Sequence, residues 1–380
     1  MSEGRVRSRR SDAVAVGGPP LGDPGDAPTT DPGDAPTTDP GDAPTSEPVT
    51  PPGDPVVVVG VGQVAAAVRR GLGAAEASPV DADGWPDGAR RLVVVAPAGE
   101  FGAPRAKTDA EQRARLALLG RRAGEAAVAA GIEHVVAVTS AAVHGATPGR
   151  AVIEDDDPVA VDDGPGFAGD VAAFEDALRE ALHGVPLGLV RPVVVVGPGI
   201  DTLLTRHFEA PRLLTVRGGE RTWHLVHVED VVAAVRVALD GGLVGGLTAG
   251  PLRDALPDAL DSETVAAAAG LRTVQLPSAT AFGAAERLHR VGVLPSPASD
   301  LAFVVHPWSV SAGRLHGAGW SPTWSGAAAL EVLLAEVRGR VGVAGLRFGG
   351  RDAAALGAAG AAVAVLGTAA VWRQARSRRP

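Results

Sequence analysis

Two groups of residues in this chain have types and spacing that could do chemistry. The first is the turn Gly60-Val61-Gly62-Gln63-Val64-Ala65. It could cradle a phosphate. Gly60 permits a tight turn, Gly62 lets an anion approach the backbone, and Ala65 lets a following helix sit close to its strand. The N-terminus of that helix would then point its N–H groups at the ligand. The second group is Ser140 and His144, four residues apart, which could polarise and protonate a carbonyl near neutral pH. Asp81, with Asp83 beside it, lies about twenty residues past the turn, where an acid would meet an adenosine ribose. What is missing also informs. The 380 residues include no tyrosine, no asparagine, no cysteine and a single lysine, Lys107. Without cysteine there are no disulfides, no thiolate catalysis and no cysteine-bound zinc.

These residues need a scaffold, and the pattern supplies one. Val56–Val59 reads as a buried strand, Gln63–Leu72 as a helix, and Leu92–Ala96 as a second buried strand. A long helix follows over about Asp109–Ala130, then a strand over Val135–Thr139. An amphipathic helix over about Asp170–Leu182 puts Val171, Phe174, Leu178 and Ala181 on one face. A further strand, about Leu187–Val190, runs into Arg191-Pro192. Strands alternating with helices predict an α/β fold, a Rossmann-like doubly wound parallel sheet.

Both ends differ from this middle. Residues 1–53 carry three copies of an octapeptide, DPGDAPTT, DPGDAPTT and DPGDAPTS, with almost no large apolar side chains, and read as a disordered acidic tail. Nine acidic and no basic residues lie between Ser11 and Asp54. They match the net charge of −9, leave the rest near neutral, and argue against nucleic acid as a partner. Ala353–Trp372 is twenty residues without a charge, followed by Arg373, Arg376, Arg378 and Arg379. That length would just span a bilayer, and the arginines would place the tail on the cytoplasmic side of the cell membrane. A soluble alanine-rich helix on a cytoplasmic protein fits the same residues.

From about Pro55 to Val337 the chain resembles the extended short-chain dehydrogenase/reductase family, the NAD-dependent epimerases and dehydratases. The resemblance rests on ordered motifs: Val138-Thr139-Ser140-Ala141-Ala142-Val143-His144-Gly145, Arg191-Pro192 through Gly197-Pro198-Gly199, Val226-His227-Val228-Glu229-Asp230-Val231, and Gly319-Trp320-Ser321-Pro322. It implies a Rossmann-like domain over 54–250 and a small C-terminal α/β substrate subdomain over 251–340. It implies NAD or NADP as cofactor, a nucleotide-sugar ligand and a homodimer. It also implies that Gly60, Gly62, Gln63, Val64, Ala65, Asp81, Ala96, Thr139 and Pro192 line the cofactor.

The family does its proton chemistry with a Tyr-x-x-x-Lys pair assisted by Ser and Asn. Here Ser140 matches the serine, but Phe167 stands for the tyrosine, Val171 for the lysine and Ala117 for the asparagine. Phenylalanine has no proton to give, and valine cannot hold a ribose. Only thirty residues separate Gly62 from Leu92, so one βα unit is expected to be trimmed from the adenosine-binding half. The leading expectation is a catalytically degenerate dinucleotide-binding protein. The alternatives are an active enzyme using Ser140 and His144, with His224 and His227 as further candidates, or a membrane-associated structural protein without a ligand. Asp155, Asp156 and Asp157 are read as a solvated loop, and Trp308 as a core aromatic beside a cleft.

Overall fold

The computed structural model describes residues 55–74, 85–100, 108–161, 164–292, 294, 296–338, 342–343 and 346–347. The acidic repeats, Asp81, Asp83, Lys107 and the segment Ala353–Trp372 lie outside them. Among the described residues no helix is long and apolar enough to cross a membrane.

The elements begin with β1 (Val56–Gly60), α1 (Gln63–Leu72), β2 (Arg91–Val95), α2 (Asp109–Ala129), β3 (His134–Val138), α3 (Phe167–Ala181) and β4 (Leu187–Pro192). Next come β5 (Val194–Val196), α4 (Leu203–Arg206), β6 (Arg212–Val216), β7 (Thr222–Trp223), β8 (Leu225–His227), α5 (Val228–Asp240) and β9 (Gly245–Ala249). Beyond these lie β10 (Leu252–Arg253), β11 (Leu256–Pro257), β12 (Leu260–Asp261), α6 (Ser262–Ala269), β13 (Arg272–Leu276) and α7 (Ser278–Arg290). The last are α8 (Ala302–Val305), α9 (Gly313–Gly317), α10 (Gly326–Val337), β14 (Gly342–Val343) and β15 (Leu346–Arg347).

Five strands form one sheet in the order β1-β2-β3-β4-β9, every pair parallel. Valines dominate because both faces are covered, so alternate residues are all apolar. Val57, Val59, Leu92 and Val94 pack on the face of α2 and α3, while Val58, Val93 and Val95 meet the face of α1 and α5. The expected parallel sheet with helices on both sides is therefore present. Its order, however, runs without the reversal that marks the usual dinucleotide fold. The short Gly62–Leu92 spacing explains this. β1 pairs directly with β2 in the register Val56↔Arg91, and among the described residues no strand lies beyond β1. Trp85 and Ala89 instead pack against Val57 and Val59 on the α2–α3 face.

Helix ends follow local chemistry. Thr108 caps α2 by accepting from Glu111 N while the Glu111 carboxylate takes the Thr108 N–H, a reciprocal capping box. In mid-helix, Gly120 and Gly124 let α2 lie against α3.

The second layer draws on both sides of residue 250. Parallel β6 and β13 pair, as do antiparallel β7 and β12, so residues 212–223 are tied to residues 260–276. Parallel β5 and β8 carry the chain from the main sheet into this layer. Val265, Trp308 and Leu330 share one apolar cluster with Val58 and Leu247.

Candidate functional site

Parallel strands bring their C-terminal ends to one edge of the sheet, where loops must diverge. Here that edge carries Gly60, Ala96, Thr139 and Pro192. A cleft opens there, lined by Val64, Ala96, Thr139, Ser140, Phe167 and Pro192, with Trp308 on its far side. It encloses only about 40 Å³, far below the several hundred of an ordinary small-molecule site. The loop after β2 accounts for part of this. Glu100 forms an isolated antiparallel bridge with Thr202, joining the loop to the segment after β5.

At one end of the cleft stands the glycine turn. Gly60 has φ 147°, and a Cβ there would meet the Val95 carbonyl at 2.8 Å. Gly62, at φ 96°, leaves the N-terminus of α1 bare. This is a cradle of the kind a phosphate requires, but its anion comes from the chain itself. Gln63 N donates to Oε2 of Glu100 at 3.2 Å, and a Cβ on Gly62 would lie 2.0 Å from the same oxygen. Burial raises the Glu100 carboxyl to about 7, against the opposing pull of the Gln63 and Val64 N–H groups. Of the residues that the resemblance assigned to the cofactor, Val64, Ala96, Thr139 and Pro192 line the cleft, while Gly60, Gly62, Gln63 and Ala65 form the adjoining turn and are not among its lining. Asp81 falls outside the described residues.

At the other end lie the residues of the proton chemistry. Ser140 caps a 3-10 turn, Ala141–His144, by accepting from Ala142 N at 3.2 Å. Phe167 opens α3 and lines the cleft with Ser140. Its N–H is held by Asp300 Oδ1 at 3.0 Å, and its ring meets Phe303 at a tilt (5.0 Å between centroids), which in turn meets Trp308 edge-on (5.6 Å). Val171, one turn on, is fully buried. Ala117 sits half-buried on α2.

His144 is not in the cleft. It is wholly buried, with Nδ1 3.1 Å from the Pro158 carbonyl and Nε2 3.2 Å from Nη1 of Arg191. A carbonyl can only accept and a guanidinium can only donate, so the ring is neutral with its proton on Nδ1. Burial and the Arg191 charge both hold its pKa down. Arg191 also clasps Glu175 through two bonds (3.1 and 2.5 Å), and Glu175 Oε1 accepts from Thr139 Oγ1 at 2.7 Å. The Arg-Pro segment therefore anchors three elements, and its histidine has no open face for a substrate.

The remaining candidates are also structural. Asp155 is not solvated: its carboxylate holds Thr248 N (2.6 Å), Thr248 Oγ1 (2.8 Å) and Arg314 N (2.8 Å). Asp156 and Asp157 pair with Arg314 and Arg150, and no cluster able to hold a metal occurs among the described residues. Asp230 accepts from Thr323 N, Thr323 Oγ1 and Trp324 N, and its carbonyl takes the Trp320 indole, so the His-Val-Glu-Asp and Gly-Trp segments fix one another. His224 is buried between the Pro251 carbonyl and Val310 N. His227 caps α5 and stacks on Trp324 at 4.0 Å.

Residues 89–246 match the family model described as the NAD dependent epimerase/dehydratase family. Over that segment the chain is similar to the epimerase/dehydratase family. The match begins after the glycine turn, where the chain is shortened. Among solved structures, gox2253 aligns at 19% identity over 75% of this chain and 98% of its own, with a TM-score of 0.58. A human epimerase family protein, SDR39U1 with NADPH, aligns at 19% identity over 75% and 99% with a TM-score of 0.54. MoeE5 in complex with UDP-glucuronic acid and NAD aligns at 18% over 75% and 99% with a TM-score of 0.51. At these identities the likeness is one of fold. No curated protein matches.

Sequence reasoning missed Glu100, Thr202 and the Thr139–Glu175 link. Glu100 carried a signal: it is a lone acid in the glycine- and alanine-rich stretch Ala96-Pro97-Ala98-Gly99-Glu100, at the carboxyl end of a parallel strand where ligands of such sheets bind. Thr202 and Glu175 carried none, because their partners are distant in the chain.

Proposed function

We propose that this protein is a catalytically degenerate member of the epimerase/dehydratase family, which binds a nicotinamide dinucleotide in the cleft and a nucleotide-sugar-type ligand beside it without the family's turnover. The observation that carries the reading is Phe167 lining the cleft beside Ser140, with Val171 sealed one turn further on, in a chain without tyrosine. A bound nicotinamide would supply hydride transfer. This chain has no phenol to move the accompanying proton, and the described residues include no ammonium to lower its pKa. What it retains suits binding: Gly60 and Gly62 for close approach, the amides of Gln63 and Val64 for phosphate, and Thr139 and Ser140 for a ribose or amide.

Support for an anionic second ligand comes from Arg221. It is buried, lies 4.1 Å over the Trp223 ring, and has an Nη2 with no partner. His207 Nε2 and His306 Nδ1 are also buried without partners, and burial, with the Arg221 charge adding to it, lowers both histidines. Such a cluster suits a diphosphate.

The test is calorimetry of the full chain with NAD(H) and NADP(H), followed by UDP-sugars with dinucleotide present. Binding without epimerised or dehydrated product is the expected result. Turnover at rates ordinary for such enzymes would sink the degenerate reading, and absence of any dinucleotide binding would sink the ligand.

A further inference from the structure

We propose that Glu100 is an internal anion that occupies the phosphate end of the cleft and must be neutralised or swung away before a dinucleotide binds. The proposal rests on the dinucleotide reading above.

Three observations place Glu100 in this role. Its Oε2 takes the Gln63 N–H, the first amide of a ten-residue helix, at 3.2 Å. It stands where Gly62 has no side chain, so the space that glycine leaves for a ligand is filled by a carboxylate. Its backbone is bridged to Thr202 across the cleft mouth, which holds the loop over a cavity of about 40 Å³. A pyrophosphate and a carboxylate cannot share one set of amides, because both bring negative charge to the same positive helix end.

The surrounding charges do not relieve that conflict. On α1, Arg69 is turned away to the Gly60 carbonyl at 2.9 Å. Beside Thr202, Asp201 is paired with Arg206 at 2.7 and 2.8 Å. From α10, Glu336 accepts from Gly199 N at 3.1 Å and adds a further negative charge. With its carboxyl raised to about 7, Glu100 is mostly neutral at pH 6 and charged at pH 8.5. If only the neutral form admits the ligand, the competent fraction falls roughly thirtyfold across that interval.

The test uses the full chain and NAD+, whose pyrophosphate keeps its charge over this range. Affinity is measured by calorimetry for wild type and Glu100→Gln at pH 6 and 8.5, with folding checked by circular dichroism. The Gln63 amide shift in the free protein is followed over the same range. Expected are at least tenfold tighter binding by Glu100→Gln at pH 8.5, little pH dependence in that variant, and a Gln63 shift that titrates only in wild type. Measurable binding with the same affinity and pH slope in both proteins would overturn the gate and leave the dinucleotide reading standing. Folded proteins that bind at neither pH would overturn the dinucleotide reading and the gate with it.

Discussion

Arg191 donates from Nη1 to the bare Nε2 of His144 at 3.2 Å, while the opposite ring nitrogen gives its proton to the Pro158 carbonyl at 3.1 Å. A histidine held at both nitrogens in a dry site is a structural part. His144→Ala should therefore lower stability by about 2–3 kcal/mol, from a lost hydrogen bond and the polar groups left unpaired. NAD+ affinity should stay within twofold. Urea denaturation and calorimetry on the same preparation check both halves, and a large loss of ligand binding with unchanged stability would contradict this role.

Restoring the missing pair is a second test. Phe167→Tyr places a phenol in the cleft lining and should fold with little change in melting temperature. It should still show no turnover of a UDP-sugar, because Val171 stands where the ammonium would be and no ammonium stands nearby among the described residues. Val171→Lys should cost roughly 3 kcal/mol or more, since position 171 is 1% exposed and an unpaired charge would be buried there. Thermal melts and product analysis distinguish these outcomes.

Stability should depend on pH through opposing groups. Burial lowers His207 and His224 to about 4, with the Arg221 charge adding to both. Below the ordinary histidine value the unfolded chain binds these protons and the folded chain does not, so stability falls as pH drops from 6.5 toward 4. Each histidine contributes at most about 3.5 kcal/mol at roughly 1.4 kcal/mol per unit. Glu100 runs the other way: its folded carboxyl holds a proton up to about 7, so its effect on stability worsens as pH rises from 4.5 to 7. Glu100→Gln removes that opposing slope. Its acid-side loss should be steeper than that of wild type, and its stability at pH 8 higher. Denaturant midpoints at four pH values would show whether the curves diverge in this direction.

Gly120 gives a fourth prediction, with a sign opposite to the usual one. Glycine to alanine inside a helix ordinarily stabilises by about 1 kcal/mol. Here the added Cβ would meet the Phe174 carbonyl oxygen at 2.4 Å, in the backbone of α3, which cannot swing aside. Gly120→Ala should destabilise by roughly 2 kcal/mol or more. A neutral or stabilised melt would show that α2 and α3 pack less closely.

The sheet was legible because its strands are short valine runs ended by glycine or proline, and two covered faces leave no other reading for Val56–Val59 or Leu92–Ala96. The helix over about Asp109–Ala130 was legible through its length and the glycine that stops it, Gly131. The cleft was legible only at its strand ends, where chain order fixes position. Ser140 and Phe167 line one cleft, a juxtaposition that came from the family resemblance and not from any local pattern. His144 did not: whether a ring faces a cleft or a core depends on Arg191 and Pro158, which no local pattern reveals. Asp155 was misread for the same reason, since its partners Thr248 and Arg314 lie ninety or more residues away.

The position of β1 at the margin of the described sheet has a consequence for ligand size. Where strand order reverses, a dinucleotide lies across the middle of a sheet and both of its nucleosides gain a wall. On the proposed dinucleotide reading, the described sheet would give the nicotinamide half the ends of β2, β3, β4 and β9 and the adenosine half that of β1 alone. Most of the recognition would then be spent by the time the ligand reaches its phosphates. A mononucleotide cut at that point would forfeit little, and the chain would read half of a cofactor almost as well as the whole.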